Sequence, residues 1–87
     1  MIMNQQILNR EDFYKTSDLA LATTLSLFHP IEKIEKANPR KAFFVFKKSE
    51  NLDELLEKYW KGQLQVEPAL YFQQLKILKA RLYSEGL

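Results

Sequence analysis

Between Arg40-Lys41 and Lys47-Lys48 lies the run Ala42-Phe43-Phe44-Val45-Phe46, the longest apolar stretch in the chain. Five residues bounded by charges and rich in Phe and Val suit a pleated strand better than a helix. Strand side chains alternate, so Ala42, Phe44 and Phe46 share one face and Phe43 and Val45 the other. Both faces are therefore apolar, and a half-solvated strand needs only one. Either the rest of the chain covers both, or one face is left for a partner.

The segment that follows predicts an amphipathic helix. Leu52, Leu55, Leu56, Tyr59 and Trp60 fall at i, i+3, i+4, i+7 and i+8, while Asp53, Glu54, Glu57, Lys58 and Lys61 take the other side. Ser49 or Asn51 can cap its start, Asn51 with Glu54 making a capping pair, and Gly62 supplies a left-handed stop. The expectation is that this helix packs on the Phe44/Phe46 face with all five apolar side chains, Trp60 included, in the core.

Around that pair the remaining elements fall into order. Residues 1–11 read as a flexible arm, with packing of Ile7-Leu8 as the other option. Asp12 to Lys15 suits a brief strand. Thr16 or Ser17 caps a mostly buried helix carrying Leu21, Ala22, Leu25 and Phe28, widened by Leu19, Ala20 and Leu27 and stopped at His29-Pro30. Ile31 to Lys36 suits a strand only with a bulge or a late start, because Ile31 and Ile34 do not share a face. Ala37-Asn38-Pro39-Arg40 is a turn. Gln63 to Val66 is either a short strand or a loop. Pro68 opens a last helix with the stripe Tyr71, Leu75, Leu78 and Leu82, and with Leu70 and Ile77 well round from it. The fold class expected is α+β: a small β-α-β-β-α-α domain over residues 12–85, its short antiparallel sheet packed against three helices. A strand at 63–66 would convert this to a ferredoxin-like order.

The pattern Tyr14-Lys15-Thr16-Ser17-Asp18-Leu19-Ala20-Leu21-Ala22, then Asn38 to Phe46, then Leu52-Asp53-Glu54-Leu55 with Tyr59-Trp60-Lys61-Gly62, resembles a family of small bacterial domains of unknown function. The resemblance covers Tyr14 to about Tyr83. It implies no catalytic or binding residue.

Chemistry-bearing constellations are sparse. There is no cysteine, hence no disulfide or thiolate site, which suits a cytoplasmic location. No apolar segment is long enough to span a membrane, and none follows a basic start as in a secretory leader. His29 is the single histidine and sits at a helix end; two glycines cannot build a phosphate-binding loop. Neither a metal, a cofactor nor an enzyme is expected.

Charge distribution is more informative than the net +2. From Ile31 to Lys48, Lys33, Lys36, Arg40, Lys41, Lys47 and Lys48 stand against Glu32 and Glu35, a local balance of +4. Such a basic hairpin with an aromatic strand suggests nucleic acid, Phe43 being partly like the stacking aromatics of RNA-recognition motifs though without their glycine. Edge lysines that deter aggregation account for the same charges. The second expectation is a protein-interaction module: a homodimer, or an adaptor or inhibitor docked on an acidic protein surface. Its contact would be Phe43 on the outer strand face, or Leu70 and Ile77 on the last helix. Burial of that helix on two sides is the alternative for the latter pair.

Overall fold

The structure, a computed structural model, describes residues 12–84. The elements in chain order are β1 (Phe13–Thr16), α1 (Leu19–Ser26), β2 (Lys33–Asn38), β3 (Lys41–Lys47), α2 (Glu50–Trp60) and α3 (Pro68–Ser84). The aromatic run becomes the middle of a three-stranded antiparallel sheet ordered β1-β3-β2. The proposed arm lies outside the described residues. Gln63 to Glu67 forms no strand, so the ferredoxin-like order is not realised.

Local chemistry fixes each boundary. Thr16 Oγ1 accepts from the Asp18 amide at 3.1 Å, and Asp18, not Thr16 or Ser17, caps α1 by accepting from Leu21 N at 3.2 Å. Ser49 caps α2 from extended backbone, its Oγ accepting from Leu52 N at 3.0 Å, which leaves Asn51 inside the helix. Gly62 ends that segment at φ +70°, where a side chain would be strained. Glu67 Oε1 accepts from Leu70 N at 2.9 Å, with Pro68 at the first helical position, where a missing N–H costs nothing. In the hairpin, Asn38 Oδ1 accepts from Arg40 N at 2.8 Å, closing the turn. Strand β2 starts late, at Lys33, so Ile31 precedes the strand and can reach the core together with Ile34; a register shift lies further on, between Lys36 and Asn38.

The core is one cluster. Leu21, Ala22 and Leu25 from α1, Phe44 and Phe46 from β3, Leu52 and Leu55 from α2 and Leu78 from α3 are all buried in it, with Tyr14, Ile34, Leu56, Tyr59 and Leu82 packed against it. All three helices therefore meet the same face of the sheet. The shortest dimension of the molecule, 16 Å between Cα extremes, accommodates one helical layer on one sheet. Thr23 and Thr24 are buried in α1 because their hydroxyls donate to Leu19 O (2.7 Å) and Ala20 O (2.9 Å) one turn back.

Two expected core residues are not there. Trp60 is 66% exposed. Helical geometry puts it roughly 80° round from Leu52 and roughly 140° from Leu55, and it is the final residue of α2. Its ring instead meets Tyr59 edge-on, centroids 5.1 Å apart. Phe28 is likewise exposed, because α1 ends at Ser26 and the chain turns away.

Candidate functional site

The register of the strands defines the other face of the sheet. Lys15 and Lys33 both lie opposite Val45, Phe13 lies opposite Lys47, and Glu35 lies opposite Phe43. Paired residues share a face, so Phe13, Lys15, Lys33, Glu35, Lys41, Phe43, Val45 and Lys47 lie together on the side away from the core. None of the three helices covers that side.

Val45 is nevertheless only 1% exposed and does not belong to the main core cluster. Lys15 and Lys33 flank it on the two neighbouring strands. Lys15 Nζ lies 2.8 Å from Glu35 Oε1, and Lys33 Nζ lies 3.2 Å from Glu35 Oε2, so one carboxylate gathers two ammonium groups above the middle strand. The long aliphatic stems of lysine shield apolar surface while their heads stay wet. Hydrogen bonds from Lys15 and then Lys33 hold the Glu35 carboxyl below its ordinary value, so at neutral pH it is fully ionised. At the hairpin end, Lys41 Nζ stands 5.6 Å from the centroid of the half-buried Phe43 ring, a cation–π contact.

The six basic residues expected to act together divide among several positions. Lys33, Lys41 and Lys47 share the helix-free face. Arg40 projects from the turn at its end, and Lys48 follows β3, its amide donating to Asp12 O at 2.9 Å. Lys36 lies opposite Ala42, on the helix side of the sheet, though exposed. Sequence reasoning missed Lys15 altogether, and gave no face to Phe13 or Tyr14. Phe13 joins Phe43 on the outer face, whereas Tyr14 packs on the core. Only the pairing of β1 with β3 separates them, and that pairing spans about thirty residues of chain.

Leu70 and Ile77 are 53% and 50% exposed, so α3 is not buried on two sides. Phe72 and Tyr83 stand exposed on the same helix. A shallow apolar cleft between α1 and α3 is lined by Leu19, Lys79, Leu82 and Tyr83. Among the described residues that line it there is a single cation and no carboxylate.

Groups suited to acid–base or metal chemistry do not converge. Among the described residues, no three His, Cys, Asp or Glu side chains stand where they could share a metal ion. The Nε2 of His29 lies 3.1 Å from Lys47 O, where it donates, and its ring tilts against Phe46 at 6.5 Å. Burial first, and then the charge of Asp18, push the Tyr14 and Tyr59 hydroxyls above their usual value, so both stay protonated at neutral pH. No helix among the described residues is long and apolar enough to cross a membrane.

Fold and site together define a two-layer α+β module whose lysine-rich sheet face is covered by none of the described helices. The chain belongs to the family described as Domain of unknown function (DUF5659), whose model matches residues 11–84. No curated protein and no solved structure matches it.

Proposed function

We propose that this chain is a small, non-catalytic, cytoplasmic module that binds nucleic acid through the basic β2–β3 hairpin and the sheet face continuous with it. The supporting observation is the charge of that face, where, among the described strand residues, Lys15, Lys33, Lys41 and Lys47 stand with Glu35 as the one acid. Arg40 and Lys48 extend the cationic surface at its two ends. Lysines at this density neutralise phosphates and release counterions, so binding falls steeply as salt rises. Replacing Arg40, Lys41, Lys47 and Lys48 with Gln should leave the melting temperature nearly unchanged, because exposed charges contribute little to stability. The same replacement should abolish most oligonucleotide binding at low salt. If wild-type protein binds no oligonucleotide even at low salt, while nuclease-resistant protein partners persist in pull-downs, the proposal fails.

The second reading is a protein-interaction module using α3. Leu70 and Ile77 favour it, being exposed, apolar and two turns apart on one side of a helix. A second copy packed helix against helix is the simplest occupant.

A further inference from the structure

We propose that the helix-free sheet face takes single-stranded nucleic acid specifically, stacking an unpaired base on Phe43 and drawing Lys15 and Lys33 off Glu35 onto the phosphates. This rests on the nucleic-acid reading above and adds the strandedness of the ligand and the part played by Glu35.

The first observation is the pairing of ring and cation at Phe43. Its ring is half-buried on the face that no described helix covers, Glu35 is its cross-strand neighbour, and the flexible ammonium of Lys41 stands over it at 5.6 Å. A base arriving on the ring meets an apolar, planar platform and displaces a side chain that can swing to the adjacent phosphate. Bases closed inside a duplex cannot reach such a surface, whereas a single strand can splay them outward. Phe13 lies on the same face, four residues further along β3 by register, roughly 13 Å away. A second base of the same strand can meet it there.

The second observation is that Lys15 and Lys33 are already neutralised. Glu35, opposite Phe43, holds both at 2.8 and 3.2 Å, and the two lysines stand opposite Val45, midway between the two rings. A carboxylate there acts as an internal competitor for the phosphate: it keeps the lysines ordered over Val45 and weakens any polyanion that arrives. Removing its charge should release both cations to the ligand.

The test measures binding of three fluorescent probes of equal length: oligo-thymidylate, the same backbone without bases, and a duplex. Wild type should bind oligo-thymidylate more tightly than either of the others. Phe43→Leu, which keeps apolar bulk, should weaken oligo-thymidylate by roughly 5- to 150-fold, the range for loss of one stacked base, and leave the baseless probe unchanged. Glu35→Gln should tighten both single-stranded probes and steepen the salt slope by up to about 1.4, or about 0.7 for each lysine released. Equal binding of oligo-thymidylate and the baseless probe by wild type overturns stacking without recourse to any variant. Tighter binding of the duplex overturns the single-strand assignment. Unchanged or weaker binding by a folded Glu35→Gln variant overturns the competitor role. In each of those three outcomes the proposed nucleic-acid function survives; only failure of wild type to bind any probe removes it.

Discussion

Lys15 on β1 and Glu35 on β2 meet at 2.8 Å although the whole of β3 runs between their strands. Edge strands of a three-stranded sheet stand about 9.6 Å apart, so both side chains reach inward over the middle strand to touch. The contact stands beside Val45, the residue that Lys15 and Lys33 both face across the sheet.

Because the folded chain holds the Glu35 carboxyl below its usual value, its ionised form favours folding above the unfolded-state value. That preference fades as pH falls through the folded-state value. Glu35→Gln should therefore melt slightly below wild type at neutral pH, and the two melting temperatures should converge in acid. A gap that persists to strongly acidic pH would mean that Glu35 acts through packing.

Trp60→Ala should cost less than about 1 kcal/mol in denaturant melts, as befits a residue two-thirds exposed at a helix end. Leu52→Ala, from the centre of the cluster, should cost about 2–5 kcal/mol. Comparable losses at the two positions would place the indole in an interface that forms in solution.

If α3 pairs with a second copy, replacing Leu70 and Ile77 together by Asp should halve the mass seen by light scattering. The melting temperature of the monomer should scarcely move, since both side chains are half in solvent already. An unaltered mass removes the pairing of these helices.

Much of the architecture was legible because it rests on periodicity. The alternation in Ala42 to Phe46 and the stripe in Leu52 to Tyr59 identified β3, α2 and the face on which they meet. The stripe overreached at Trp60, because the spacing i+8 names a helix side but not whether the neighbouring layer extends that far. Thr23 and Thr24 were invisible as core residues, since a buried hydroxyl depends on a carbonyl one turn back and not on hydrophobicity. The candidate site was legible in its β2–β3 half. Its β1 half, Phe13 and Lys15, was not: a four-residue strand has little pattern of its own, and its register is set by distant tertiary pairing.

That four-residue strand also bears on aggregation. Among the described residues, Phe13–Thr16 is the strand that pairs with one backbone edge of β3, which carries Phe43, Phe44 and Phe46. Without it, the N–H and C=O groups along Phe44 to Lys47 would form an open template beside a greasy surface, ready to recruit the matching strand of a neighbour. Phe13 to Thr16 should thus act as a stopper against fibre growth as well as forming one border of the candidate site. Thioflavin fluorescence of protein shortened past Thr16 should rise with time where the full chain stays dark, and a dark shortened protein would show that β3 is protected by other means.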